Sequence, residues 1–182
     1  LKDLTENQAF VSLGIAYFFI ATIDFFHTIF YVGFFRFSSQ NDFATEFWIA
    51  ARYMETMSLL GFVLLLKWKR KINHFKLMIF MFLLTTLIFL SILVWKIFPL
   101  CFIEGKGLTP FKIYSEYAIS IVLIFTAVLF YDIKHQLDKK IYSLMTGAIL
   151  LTVISELFFT FYIDRYDISN QLGHMFKFIS FF

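Results

Sequence analysis

The sequence predicts an all-α fold, a polytopic bundle of transmembrane helices. Of the 182 residues, 60% are hydrophobic and only 16% are charged, whereas a soluble domain is about half apolar and about one quarter charged. Apolar runs of roughly 20 residues recur along the chain, and a helix of that length crosses about 30 Å of hydrocarbon. Short polar segments separate these runs, as expected of loops between membrane spans.

Six helices are predicted, at residues 9–34, 43–66, 75–98, 110–131, 140–163 and 168–182. The fourth begins at Pro110 because Thr109 is a favourable N-cap and proline suits the first helical position. The sixth is shorter than a full span. Because the chain starts at Leu1 and stops inside that apolar run, we expect a single domain over residues 1–182 that is truncated at both ends.

The basic loops predict how the helices are oriented. Basic residues concentrate after the second helix and after the fourth, at Lys67, Lys69, Arg70, Lys71 and Lys76 and at Lys134, Lys139 and Lys140. Such loops face the cytoplasm, so the first helix should start there and the sixth should end there. No basic stripe indicates a nucleic-acid partner, and a single cysteine, Cys101, excludes an internal disulfide.

Ionisable side chains recur at one depth within the predicted spans, in the half opposite the basic loops. A charge inside a membrane span is costly and faces the bundle interior, so these side chains should converge in one polar pocket. The residues concerned are Asp24, His27, Arg52, Glu55, Glu116, Glu156, His174 and Lys177. Four carboxylates against two cations leave a net charge of −2 with neutral histidines. The pocket must therefore protonate carboxylates, charge its histidines or bind a cation.

Simpler structural roles compete with a ligand role for several of these residues. Asp24 and Arg52 could form an ion pair that only joins the first two helices. For His27 and His174, interhelical hydrogen bonds are the commoner outcome, and together they could instead hold a haem or a metal. Lys112 should snorkel to the interface. Trp48 and Tyr31 suit an aromatic belt better than a pocket wall.

The loop between the third and fourth helices is the candidate lid of this pocket. Gly105, Lys106 and Gly107 form its turn, directly above Glu116 in the fourth helix. Glycine gives such a turn the conformational freedom that a lid needs.

Four segments resemble one known family. They are LGIAYFFIATIDFFHTIFY at 13–31, ATEFWIAARYMET at 44–56, FPLCFIEGKGLTPFKIYSEY at 98–117 and SELFFTFYIDRYDISNQLGHMFKFISFF at 155–182. In order and spacing they are similar to the third class of membrane-associated sensor (MASE) domains, which are integral-membrane input modules of bacterial signalling proteins. The motifs include Trp48 and Asn170, so the candidate ligand-binding set becomes Asp24, His27, Trp48, Arg52, Glu55, Glu116, Glu156, Asn170, His174 and Lys177.

The resemblance implies a sensor domain that is not itself an enzyme. A cytoplasmic output module of the histidine kinase (two-component) or diguanylate cyclase type would follow residue 182 in the same chain, and one further helix would precede residue 1. The implied location is the bacterial inner membrane, with a cytoplasmic C-terminus and a homodimeric assembly. Expected partners are the lipid bilayer and an unknown small ligand or cation, and no cofactor is assigned.

Three other functions remain open on the residues alone. A proton or ion carrier would use the carboxylates and histidines, but it needs a polar route through the inner halves of the helices, which are apolar. A haem protein would use His27 and His174 as axial ligands. A structural anchor explains the helices but not the buried charges.

Overall fold

The computed structural model confirms the all-α membrane bundle and describes residues 2–31, 43–103, 105–161 and 167–181, with only the backbone for residues 2–7. Within these ranges the α-helices are α1 (Lys2–Phe30), α2 (Phe43–Trp68), α3 (His74–Phe89), α4 (Pro110–Asp132), α5 (Lys139–Phe159) and α6 (Ile168–Ser180). The described residues contain five segments long and apolar enough to cross a membrane, which are α1 to α5, with α3 extended to Val94. Helix α6 has only 13 residues.

Capping side chains define where three helices begin. Thr109 precedes α4, and its hydroxyl oxygen accepts a hydrogen bond from the Lys112 N–H at 3.3 Å. The Asp138 carboxylate caps α5 through the Lys140 N–H at 2.8 Å. Asn73 caps α3 in the same way. Because capping residues satisfy the otherwise unpaired N–H groups of a first turn, these starts were predictable to within one residue.

The predicted ends of three helices are wrong. Helix α1 ends at Phe30 instead of residue 34, and α5 ends at Phe159 instead of residue 163; residues 34 and 163 themselves lie outside the described ranges. Apolar residues continue past both ends, so hydropathy alone cannot show where the helix stops. Helix α3 gives way to a π-helical turn at Leu90–Val94, and Lys96 just beyond it has a positive φ of 52°, so the helical run stops before residue 98.

Helix α1 also starts earlier than predicted, at Lys2 instead of residue 9. The first residues are polar, and polarity marks the border of the membrane, not the border of a helix.

Helix α2 is the centre of the bundle. It packs against α1 on one side and α4 on the other, α5 packs between α4 and α6, and α3 packs on α1. Within the apolar span of α2, 61% of the residues are buried inside the bundle, whereas in the span of α3 only 11% are. A helix that is apolar all round and still exposed suits a lipid environment, so α3 is the peripheral span.

The core of one half of the bundle is formed mainly by apolar side chains. Leu59, Phe62 and Val63 of α2 pack there against Ile119 and Leu123 of α4. Helix α5 completes this cluster with Ile149 and Val153. The half of the bundle nearer the basic loops therefore holds no buried charge among these core residues, as the sequence predicts.

Two contacts show that the basic loops and the start of α1 share one end of the bundle. Lys67 at the end of α2 pairs with Asp132 at the end of α4, at 2.7 Å. The His74 Nε2 atom hydrogen-bonds to the backbone carbonyl of Gln8 at 3.1 Å. The opposite end, where α1 ends and α2, α4 and α6 begin, is the end near which the ionisable side chains lie.

A small β-hairpin occupies the loop before α4 and was not predicted. Strand β1 (Phe102–Ile103) pairs antiparallel with β2 (Gly107–Leu108). The turn needs a positive φ at Gly105 (78°) and at Gly107 (84°), a conformation that other residues adopt only at a cost.

Candidate functional site

A cavity of about 580 Å³ lies between α1, α2 and α6, within the range of about 300–1,000 Å³ typical of ligand pockets. Its wall comes from the last turns of α1, the first turns of α2 and most of α6. The lining residues are Asp24, His27, Thr28, Tyr31, Trp48, Arg52, His174, Lys177, Phe178 and Phe181. Polar and aromatic side chains thus face a common space in the half of the bundle opposite the basic loops.

A network of ion pairs forms the floor of this cavity. The Arg52 Nη2 atom donates to both carboxylate oxygens of Asp24, at 2.7 and 2.6 Å, and Nη1 donates to Glu55. The Lys177 ammonium donates to the same Glu55 carboxylate at 2.5 Å. The ion pair expected between Asp24 and Arg52 is therefore present, and it belongs to a longer chain that joins α1, α2 and α6.

A cluster of rings forms the side wall. Trp48 packs between His27 and His174, with ring centroids 5.1 and 5.3 Å away, and the Phe159 ring lies behind it at 4.7 Å. Trp48 is only 7% exposed, so its predicted place in an interfacial belt is wrong and it is a pocket wall. The Arg52 guanidinium lies 4.6 Å from the centre of the Trp48 ring, a cation–π distance.

His27 makes the interhelical hydrogen bond that was expected of it. Its Nδ1 atom lies 2.7 Å from the backbone carbonyl of Ala44 in the first turn of α2. A carbonyl can only accept, so Nδ1 carries the proton. This bond fixes the orientation of the ring at the point where α1 meets α2.

A second buried cluster lies outside the cavity lining, on α4 and α5. Lys112 pairs with Glu116 one turn later, and both side chains are fully buried. The expectation that Lys112 snorkels to the interface is therefore wrong. The ring of Phe159 lies 5.8 Å from the Lys112 ammonium. Because the lysine side chain is buried from water, its ammonium pairs with the Glu116 carboxylate and not with solvent.

Glu156 is a buried carboxylate without a direct hydrogen-bond partner among the described residues. It is 0% exposed, and neither of its carboxylate oxygens has a hydrogen-bond partner among the described residues. Glu55, Glu116, Glu156 and Asn170 do not line the cavity, whereas the other six predicted residues do. The structure thus divides the single predicted pocket into an open cavity and a buried group of acidic and basic residues.

The hairpin packs over the back of the ring cluster. Cys101 and Phe102 contact Trp48, Ile49 and Phe159 in one buried group. The turn residues Gly105, Lys106 and Gly107 are not part of the cavity lining. The turn of the predicted lid therefore forms no part of the cavity wall, and its closure over the cavity remains a prediction.

A larger cavity of about 830 Å³ lies between α1, α2 and α3. Small and apolar residues such as Ala16, Ala50 and Gly61 form its walls, and Arg70 lies at the end nearer the basic loops. It offers a ligand apolar surface with almost no polar groups. We therefore place the candidate site in the smaller, polar cavity.

The side chains of the described residues do not form a conventional metal site. Within those ranges, no group of three or more His, Cys, Asp and Glu side chains is arranged to hold a metal ion. Protein zinc sites use three or four such ligands. The rings of His27 and His174, with centroids 6.3 Å apart, do not make such a set by themselves.

Sequence reasoning missed several residues of the site. The Tyr17 hydroxyl donates to Glu55 at 3.2 Å, and Phe159 backs the ring cluster. Tyr17 precedes Asp24 by seven residues, or two helical turns, so helical periodicity could have placed it on the same face. Glu46, in the first turn of α2, is also a buried carboxylate, but it does not line the cavity. For Phe159 no comparable signal exists, because phenylalanines occur on every face of these helices.

The chain was compared with protein families, with curated proteins and with solved structures. A family model described as membrane-associated sensor domain, MASE3, matches residues 1–182. No curated protein and no solved structure matched the chain.

Proposed function

The chain belongs to the MASE3 family of membrane-associated sensor domains, and from that premise we propose that its sensory site is the cavity between α1, α2 and α6. The observation that supports this most directly is the composition of the wall. A purely structural cavity in a membrane protein would be apolar, yet this one presents two imidazoles, a carboxylate and two cationic side chains. Buried polar groups at such a depth are characteristic of functional sites in membrane proteins.

The cavity suits a small molecule with both polar and flat apolar parts. The side chain of Asp24 is 27% exposed although it is paired with Arg52, so it can accept a further hydrogen bond. Trp48 and Phe178 offer ring surface. Ligand pockets combine mostly apolar walls with a few well-placed polar groups in this way.

We place the cavity on the extracytoplasmic side of the bacterial inner membrane. The basic loops lie at the other end of the bundle, and basic loops face the cytoplasm. A stimulus would then reach the cavity from outside the cell or from within the bilayer. The C-terminal end of α6 would lie toward the cytoplasm and would lead into an output module in the same chain, of histidine kinase or diguanylate cyclase type, in a dimer.

Helix α6 is the proposed route of transmission. It contributes His174, Lys177, Phe178 and Phe181 to the cavity, while α1 and α2 contribute the facing wall. Lys177 is also the α6 residue that pairs with Glu55 of α2. A ligand that contacts both walls would favour one packing of α6 over another, and it could shift that balance only by its difference in affinity for the two.

Tryptophan fluorescence can test this assignment. Trp68 and Trp95 are 62% and 52% exposed, so Trp68→Phe with Trp95→Phe leaves Trp48 in the cavity wall as the single tryptophan within residues 1–182. The probe is a small-molecule extract of the source cells, separated into fractions and added to the full-length protein in nanodiscs. We expect one fraction to shift the Trp48 emission, and His174→Phe to abolish that shift.

A second variant provides the control. Trp48→Phe with Trp68→Phe leaves Trp95, which lies outside the cavity, as the only tryptophan within residues 1–182, and the emission of this variant should not respond to the active fraction. The assignment is wrong if a fraction that changes the activity of the output module leaves the Trp48 emission unchanged.

A further inference from the structure

The acidic and basic residues in and behind the cavity wall form ion pairs, and one buried carboxylate has no such pair among the described residues. Arg52 holds Asp24, Lys177 holds Glu55, and Lys112 holds Glu116. Each cation thus has a carboxylate partner. Glu156 has none within hydrogen-bonding distance among the residues that the structure describes.

The packing of α5 against α6 places Glu156 close to Lys177. The Ser155 hydroxyl donates to the Gly173 carbonyl at 2.8 Å, and the Phe159 ring lies against Gly173. Because α5 and α6 run in opposite directions, the turn of α5 before this contact lies beside the turn of α6 after it. One turn back along α5 from Phe159 is Glu156, and one turn forward along α6 from Gly173 is Lys177.

Charged groups face Glu156 from each of the helices around it. Arg52 and Glu55 lie on α2, Lys112 and Glu116 on α4, and Lys177 on α6, all within electrostatic range. The local charges, with Asp24 included, are four carboxylates against three cations. These seven side chains therefore carry one negative charge in excess when all of them are ionised.

An unpaired carboxylate in a membrane interior is costly, by several kcal/mol at the least. The charge can be neutralised by a bound cation or by a proton. A cation needs several oxygen ligands and the space to hold them. Glu156 is 0% exposed and does not line the cavity between α1, α2 and α6 or the one between α1, α2 and α3, so the geometry favours the smaller ligand.

We propose that Glu156 is a proton-binding site, separate from the sensory cavity and independent of what that cavity binds. With the proton bound, Glu156 is a neutral acid, and Lys177 keeps its ion pair with Glu55. When the proton leaves, Glu156 competes with Glu55 for the Lys177 ammonium. Because Lys177 lies on α6, the occupancy of this site then changes how α6 is held against α2.

Infrared spectroscopy of the purified full-length protein at neutral pH tests this proposal. The carbonyl stretch of a protonated carboxylic acid is distinct from the stretches of a carboxylate. The difference spectrum of wild type minus Glu156→Gln should show one acid carbonyl band. Glu116→Gln should keep that band, and Asp132→Asn, which alters an exposed carboxylate paired with Lys67, should keep it too.

Three results would overturn the proposal. The first is a difference spectrum for Glu156→Gln that contains carboxylate bands and no acid band. The second is loss of the acid band in Glu116→Gln alone. The third is loss of the band when sodium replaces choline in the buffer, which indicates a cation in place of the proton.

A second measurement covers the case in which Glu156→Gln does not fold. Wild-type protein unfolded in detergent at pH 7 should release a proton that is detectable with an indicator dye, because an exposed glutamate is ionised at that pH. The Asp132→Asn protein should release the same amount. An unfolding transition without any proton release contradicts the proposal.

Discussion

Lys177→Met breaks the ion pair that ties α6 to the centre of the bundle. Lys177 and Glu55 are almost completely buried, with side chains 5% and 3% exposed. Removing one partner of a buried pair costs about 3–5 kcal/mol, because the other charge is left uncompensated. Glu55 keeps the Arg52 guanidinium and the Tyr17 hydroxyl, so we expect a loss near the lower figure, about 3 kcal/mol.

The unfolding transition of the membrane domain, followed in the full-length protein in detergent, measures this loss. For a domain of 182 residues, a change of 1 kcal/mol moves Tm by about 2–4 °C, so Lys177→Met should lower the Tm of this transition by roughly 6–12 °C. Lys67→Met is the matched control, because Lys67 and Asp132 form an exposed pair, 34% and 52% accessible. Exposed pairs contribute about 0–1 kcal/mol, so the control should lower Tm by no more than about 4 °C.

A double-mutant cycle separates the ion pair from other effects of the methionine. With Glu55→Gln already present, Lys177→Met should cost at least about 1 kcal/mol less than it does alone. Equal Tm values for Lys177→Met and Lys67→Met would refute the reasoning, because the pair would then contribute no more than a surface contact. Additive effects in the cycle would refute it as well.

Four further substitutions test other parts of the structure by thermal unfolding. Gly173→Ala should cost about 1–3 kcal/mol, because a Cβ atom there would lie 2.7 Å from the Phe159 ring. Its control is Gly147→Ala, where a Cβ atom on α5 meets open space, and this change should stabilise the folded protein by about 0.5–1 kcal/mol. Asp24→Asn should cost about 1.5–3 kcal/mol, since Arg52 loses one of its two charged acceptors, and an unchanged Tm would contradict the network. Gly107→Ala should cost about 1–2 kcal/mol, because the φ of 84° is strained for alanine. We expect the same substitution to shift the dose–response curve of the full-length protein. No change in Tm or in the dose–response curve would argue against a role for the turn.

The sequence was sufficient to predict the helices and the approximate depth of the site. Long apolar runs define spans, and charges inside spans must meet, so Asp24, Arg52 and Lys177 could be grouped from their positions in the chain alone. Depth along a helix follows from residue number at 1.5 Å per residue. Residue number does not show which helices are neighbours, and this explains why Glu116 was predicted to share one pocket with the residues that line the cavity.

Lys112 and Trp48 show why local position can mislead. Each lies near the end of a predicted span, where a lysine is expected to reach water and a tryptophan to lie at the interface. The hairpin and Phe159 cover both positions, and this cover comes from residues distant in sequence. Two-residue strands such as β1 and β2 are also too short to leave a recognisable pattern.

The most direct test of the sensory cavity is the stimulus response of the full-length protein when single cavity residues are changed. Thr28→Val, Tyr31→Phe and His174→Phe each remove one polar group from the wall, and Phe18→Leu changes a side chain that is 70% exposed outside it. We predict that at least one wall variant shifts the half-maximal stimulus about tenfold, the effect of 1.4 kcal/mol, with Tm unchanged, while Phe18→Leu responds as wild type. Wild-type dose–response curves for all three wall variants would contradict the account.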